Sequence, residues 1–283
     1  MIIIQALNWA KAELQSIEEG ANDALFLLSA TTNKDKAFLI AFGQDELSEQ
    51  QWADYQSAIM QRKNHVPVSQ ILGVQPFWQW EFKVNGDVLT PRADSETLLE
   101  AMLKDFSNKD KKYKIADFGT GSGCLLLSAL SEYPHATGYG VDISRKSLKI
   151  AQENEDFLRQ QRAIFTKPQW LLGSWDLLAN DAPFDIILAN PPYIAESEKK
   201  DLSREVLKHD PHIALIAEDN GLRSYKELFP LFKQILAPNG KAYIEHGYRQ
   251  QDVLVEVAVR YELNIERRLS DLSGNPRGLV MTV

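Results

Sequence analysis

Asn190-Pro191-Pro192-Tyr193 sets an amide, two rings without N–H groups and a phenol directly after the apolar run 187–189. Proline removes a backbone donor and does not sit in a central strand, so the chain leaves a buried strand here in a stiff, extended form. Its carbonyls are left as acceptors. The Asn190 side-chain oxygen and the Pro191 carbonyl can take both hydrogens of a planar –NH2 group, a poor nucleophile because its lone pair is conjugated away. Two fixed acceptors favour a pyramidal nitrogen and stabilise the charge that develops as it is alkylated. Tyr193 can stack on the flat group. An amide side chain and an exocyclic base amine fit this geometry equally well. Taken alone, a Pro-Pro pair also marks no more than a strand exit.

Residues 117–124, DFGTGSGC, supply a second candidate. Gly119, Thr120, Gly121, Ser122 and Gly123 follow an expected strand and open an expected helix. Glycines there let the backbone turn sharply and let a ligand come close. A dinucleotide fingerprint needs glycine at position 124, where Cys124 stands, and no phosphate-binding lysine follows. Asp142 ends the next strand, about 20 residues on, where a carboxylate can accept from both ribose hydroxyls; the alternative there is a helix N-cap. Adenosine without phosphates points to S-adenosylmethionine, whose positive sulfonium suits the acidic pair Asp117 and Asp142. Trp175, after the third strand, either lines the adenine pocket or belongs to the core.

The elements that must position these residues are legible from periodicity. Residues 1–73 carry helical spacing in ALNWAKAELQSI, DALFLLSATT, KAFLIAFG and SEQQWADYQSAIMQRK, with Asn33, Asp45 and Ser48 at cap or turn positions. This reads as a helical domain that docks a partner or covers a site. The apolar N-terminus reads as the start of a helix rather than a signal peptide. Residues 74–90 read as a β-hairpin linker turning at Asn85-Gly86. From residue 113, strands KIADFG, ATGYGVDI, QWLLGSW, FDIILAN and KAYIEHG alternate with helices, and 264–283 forms a closing antiparallel pair. The expected fold is α/β, a doubly wound parallel sheet over 91–283. In that topology the fourth strand lies beside the first, which brings Asn190 to the glycine loop.

Composition narrows the class. The chain has 283 residues, 44% hydrophobic and 25% charged, with a net charge of −8. That balance weakens the case for a sequence-independent grip on nucleic acid, which needs a basic face, and leaves room for a local basic patch. No apolar stretch approaches a membrane span. The lone Cys124 allows no internal disulfide and fits a reducing, cytoplasmic compartment. The five histidines, with no HxxxH or HExxH spacing, give no metal site.

DFGTGSG, VD, SW and NPPY at these spacings resemble the class I S-adenosylmethionine-dependent methyltransferases that modify planar nitrogens, a Rossmann-like fold with a seven-stranded sheet. HVPVSQILGVQPF, VLTPRADSE, EVLKHDPHIAL, NGLRSYKEL and DLSGNPR narrow the resemblance to the glutamine N5-methyltransferases of peptide chain release factors. It covers nearly all of 65–280. It implies that Gly119–Gly123 wrap the methionine end of the cofactor, that Asp142 holds the ribose and Trp175 lines the adenine pocket. Asn190, Pro191, Pro192 and Tyr193 would hold a glutamine from a Gly-Gly-Gln loop, and the helical domain would dock the release factor to a monomeric enzyme. The chain departs from the family's usual pattern at PRADSE, for Pro-Arg-Pro-Glu-Thr-Glu, at HDP, for Tyr-Glu-Pro, and at EHG, for Glu-Ile-Gly. Arg92 and Glu96 are either partner contacts or a structural ion pair, and Asp210 is open. A ribosomal-protein glutamine methyltransferase and a nucleic-acid adenine N6-methyltransferase share the tetrad and remain alternatives. A cofactor-binding adaptor would leave the tetrad without a role.

Overall fold

The helical spacing of the first 73 residues is realised as Ile3–Glu13, Gly20–Thr32, Lys36–Ala41 and Glu49–Lys63, with a short fifth helix, Val68–Leu72, that periodicity does not mark. Ser48 and Gln51 form a reciprocal capping box on the fourth helix, and Asn33 ends the second in the left-handed region. Ala6, Leu27, Leu28, Tyr55 and Ile59 fill the core between them, and the buried Tyr55 hydroxyl donates to the Ala24 carbonyl at 2.9 Å. In the computed structural model, which describes all 283 residues, these helices form one of two compact units, residues 1–74 together with 203–209. The sequence reading leaves 203–209 in the larger domain. The chemistry that ties it to the helices is long-range: the buried Arg62 guanidinium is held by Asp23 at 2.7 Å and Glu205 at 2.9 Å.

The second unit, 75–202 with 210–283, carries both sheets. Its hairpin is β1 (Val74–Phe77) and β2 (Trp80–Lys83), so the strands turn at Trp78-Gln79 rather than at Asn85-Gly86. Trp78 takes a positive φ of 56°, held by its N–H donating to Glu96 at 2.6 Å and its indole N–H donating to Glu132 at 3.0 Å. Asn85 instead accepts from the Asp87 N–H at 2.9 Å, a local turn of the kind Asn side chains make by themselves.

The main sheet contains β3 (Lys114–Phe118), β4 (Thr137–Asp142), β5 (Gln169–Leu172), β6 (Phe184–Ala189), β7 (Leu236–Glu245), β8 (Asn264–Ser270) and β9 (Pro276–Thr282). Its order is β5-β4-β3-β6-β7-β9-β8, parallel through β7 and antiparallel where β9 joins β7 and β8. Alternate residues of the central strands serve different cores. Ile115, Ile186 and Leu188 pack with Leu98, Met102 and Leu126 on one face; Ala116, Ile187 and Ala189 pack with Tyr225, Phe229 and Leu254 on the other. Burial on both faces explains why the stretch Ile186–Ala189 reads as an unbroken apolar run. The helices Glu96–Asp105 and Gln251–Arg260 complete the layers, although the sequence reading marks neither. Strand order reverses between β3 and β6, and there Phe118 pairs with Ala189.

Close approach between strand and loop is built into this region. A Cβ on Gly140 in β4 would lie 2.6 Å from the Trp170 ring and 3.1 Å from Thr120 Oγ1. Gly140→Ala should therefore destabilise the protein by about 1–3 kcal/mol, an overpacking cost. The measurement is the urea midpoint; an unchanged midpoint would contradict the close packing.

Candidate active site

Beyond Phe118 the chain turns through Gly119, whose N–H and that of Thr120 both donate to the Val141 carbonyl, at 3.0 and 3.1 Å. Gly119 has φ +69°, and a Cβ there would meet nothing within 4 Å. The glycine is thus required by backbone conformation, and its open side faces space rather than core. Asp142, at the end of β4, fixes the loop by accepting from the Gly121 N–H at 2.9 Å and from the Ser144 N–H at 2.8 Å. It does not cap the next helix: the N-cap is Ser144, whose hydroxyl accepts from Ser147 N–H. Each Asp142 oxygen keeps a free lone pair for a ligand.

A cavity of about 240 Å³ opens here, lined among others by Gly119, Gly121, Asp142, Trp175, Asn190 and Pro192. The exposed apolar side chains of Ile143 and Ile213 and the Asn85-Gly86 turn, through Gly86 and Asp87, complete its rim. No lysine or arginine lines it, and Asp87 and Asp142 do. That donor set fits a nucleoside with a cationic tail and not a phosphate-bearing ligand. A smaller chamber of about 50 Å³ shares Gly119, Gly121 and Asn190 and adds Thr120, Ser122 and Asp117. Thr90 Oγ1, also on this chamber, is buried without a protein partner, which fits a polar ligand atom bound there. Gly123 lines neither space.

Asp117 is buried and accepts from the Thr120 hydroxyl at 2.5 Å. Burial pushes its carboxyl up to about 7, with the nearby Asp142 charge adding to the rise and the Thr120 bond opposing it. Burial also raises Asp142. Cys124 starts the helix Cys124–Glu132, and burial pushes its thiol up to about 12, which leaves it un-ionised and inert at neutral pH.

The tetrad leaves the end of β6 beside this loop. Asn190 lines both spaces, and its Nδ2 donates to Ser95 Oγ at 3.1 Å. Ser224 Oγ donates to the Pro192 carbonyl and Gln250 Nε2 to the Tyr193 carbonyl, both at 2.8 Å. These bonds clamp the rigid segment, while the Pro191 carbonyl takes no bond from the protein. Tyr193 lies off the Asn190 cavity. Its hydroxyl turns to Glu245 at 3.5 Å, and the residue lines a separate cavity with Gly247 and Gln250. Arg92 and Glu96 do not pair with each other: Arg92 binds Asp210 at 2.7 Å, and Glu96 holds the Trp78 backbone. Ser95, Ser224, Glu245 and Gln250 escape the sequence reading. Only PRADSE and EHG, as departures from a pattern, draw the eye toward Ser95 and Glu245.

Residues 5–73 match the PrmC N-terminal domain, and residues 92–215 match the methyltransferase small domain. The chain is 35% identical to the release factor glutamine methyltransferase of Bradyrhizobium diazoefficiens, over 95% of this chain and 90% of that one. It is 33% identical to the protein of the same name from Caulobacter vibrioides, over 98% and 95%. Against the bifunctional methyltransferase of Rickettsia typhi it is 33% identical over 97% of this chain but 56% of the relative. The chain thus spans just over half the length of the bifunctional relatives it matches.

The raised Asp117 gives stability a definite pH dependence. The unfolded chain releases this proton first, so the contribution is full below the ordinary carboxylate range and is lost as pH rises through about 7. Between about pH 6 and about pH 8 the thermal midpoint of Asp117→Asn should fall less than that of the wild type. Equal slopes would contradict the assignment.

Proposed function

Because the chain belongs to the release factor glutamine methyltransferases, we propose that it methylates the side-chain amide nitrogen of the glutamine in the Gly-Gly-Gln loop of peptide chain release factors. The observation that carries the reading is the position of Asn190, on the wall of the cavity shared with the glycine loop and Asp142. Gly119, Thr120, Gly121, Ser122 and Asp142 would hold S-adenosylmethionine, with Trp175 beside its adenine. Bound there, it supplies a methyl group activated by a neighbouring sulfonium charge.

The chain's own residues do the rest. The Asn190 side-chain oxygen and the Pro191 carbonyl accept the two amide hydrogens of the glutamine. This draws its nitrogen away from planarity and frees the lone pair. The same two oxygens stabilise the positive charge that grows on the N–H groups. No strong general base is required, since the amide sheds its proton to solvent as or after the new bond forms and the sulfonium leaves as a neutral thioether. The absence of lysine and arginine from the cavity wall supports a cationic cofactor, and the net charge of −8 supports a protein rather than a nucleic-acid substrate. The helical unit is the proposed docking surface for the release factor, and the cytoplasm, where translation ends, the proposed location of a monomeric enzyme.

Labelled S-adenosylmethionine, offered with a purified release factor, a ribosomal protein and RNA in parallel, should label the release factor at glutamine. Label in ribosomal protein or RNA instead would overturn the substrate assignment. Asn190→Ala should lower kcat by about 10²–10³-fold, the scale of losing one fixed polar group that acts in the transition state, and leave cofactor affinity near wild type. Full activity in that variant would refute the double-acceptor geometry.

A further inference from the structure

Glu245 ends β7, one strand beyond the tetrad, and is 1% exposed. Its two carboxylate oxygens address the two polar members of the tetrad. Oε2 accepts the hydroxyl proton of Ser95, whose oxygen in turn accepts from Asn190 Nδ2. Oε1 faces the Tyr193 hydroxyl at 3.5 Å. Ser95 is itself buried, in the short turn Ala93–Ser95, on the wall of the smaller chamber beside Asn190.

A serine hydroxyl has one proton to give. Here it is committed to the carboxylate, so the Ser95 oxygen can act toward Asn190 only as an acceptor. The Asn190 amide must then present its NH2 to Ser95, because the reversed amide would set two acceptor oxygens against each other. That leaves Asn190 Oδ1, which no protein donor takes, for the cavity.

We propose that Glu245 is a positioning residue for the methyl transfer: through the single hydroxyl proton of Ser95 it fixes the Asn190 amide with its oxygen toward the substrate. The inference rests on the methyltransferase reading given above. Protonated Glu245 would donate to Ser95 instead, free the serine proton for Asn190, and permit the amide to reverse with its NH2 toward the cavity. A reversed amide repels the hydrogens of a substrate amide.

The surroundings set when this happens. Burial pushes Glu245 up to about 7 and the Asp94 carboxylate adds to the rise, whereas Ser95, the Arg277 guanidinium and the Tyr193 hydroxyl favour the anion. Tyr225 also faces it, donating to the Glu245 backbone carbonyl at 3.0 Å, and Cys124 lies within its field. Arg277 is shared with Asp94 at 2.9 Å and Asp271 at 3.1 Å, so its charge is not spent on Glu245 alone. The anion is the ordering form, so order is present above about pH 7 and is lost as pH falls through it.

The test uses the full chain in four forms: wild type, Ser95→Ala, Ser95→Thr and Glu245→Gln. With release factor at high pH, Ser95→Ala should lose about 10²-fold in kcat, the cost of a loosened reacting geometry, with substrate KM and cofactor affinity near wild type. Ser95→Thr keeps the hydroxyl, so it should restore most of that loss. Wild-type kcat should fall as pH drops below about 7, and Glu245→Gln should lack that step. A second readout needs no substrate. Read in an Asp117→Asn background, which removes the other carboxyl that titrates at about 7 beside it, the side-chain amide signals of Asn190 in the ¹⁵N-labelled chain should shift with the same midpoint and stay constant when Glu245→Gln is added. Wild-type kcat in Ser95→Ala, or an Asn190 signal that titrates unchanged in Glu245→Gln, would overturn the proposal. A wild type that labels no release factor would overturn the function reading instead, and the Asn190 signals would still decide the role of Glu245.

Discussion

Phe118 and Ala189 lie opposite each other in a parallel pair of strands buried on both faces, and both strands stop at that level. The chain leaving one turns through Gly119–Gly123; the chain leaving the other stiffens into Asn190-Pro191-Pro192-Tyr193. Neither segment could meet the other if the register slipped by one residue, because a slip would also exchange the faces that Ile186 and Ile187 bury. The two apolar layers therefore hold the register, and the register holds the site. Gly140 and Val141 on β4 finish the arrangement, one by its missing side chain and the other by a carbonyl that takes two loop N–H groups.

Acidity is the second theme. Asp117 and Glu245 are both nearly inaccessible, and burial lifts each carboxyl to about 7. Such groups cost stability at neutral pH, where the unfolded chain would hold them ionised in water. They persist where their hydroxyl partners stand at the loop and at the tetrad: Thr120 for Asp117, Ser95 for Glu245. A cation in the adjoining cavity would favour both anions. The cost of ionising these buried carboxyls is thus consistent with the proposed sulfonium ligand, and no lysine or arginine lines the larger cavity.

Much of this was legible in the residues. The helical period of 1–73, the strand–helix alternation after 113 and the glycine loop follow from local spacing and are realised as read. Asn190 beside Gly119 follows from topology, since strand order must reverse between β3 and β6. What spacing misses is long-range. Asn-Gly at 85–86 is a strong turn signal, yet Glu96 and Glu132 pull the hairpin turn back to Trp78. Ser95 and Glu245, separated by 150 residues, meet only because the turn after Pro91 lies over the end of β7. Tyr193 follows the prolines but turns to Glu245 instead of the cavity, because its direction is set by burial and not by its place in the motif. The helical unit's tie to 203–209 through Arg62 is likewise invisible to local pattern.

The central claim is that two protein oxygens seize a substrate amide beside the glycine loop. A crystal structure with S-adenosylhomocysteine and a peptide bearing Gly-Gly-Gln addresses it most directly. The glutamine nitrogen should lie about 2.7–3.2 Å from both Asn190 Oδ1 and the Pro191 carbonyl, ordinary hydrogen-bond lengths. A glutamine amide bound elsewhere, or facing the NH2 of Asn190, would contradict it.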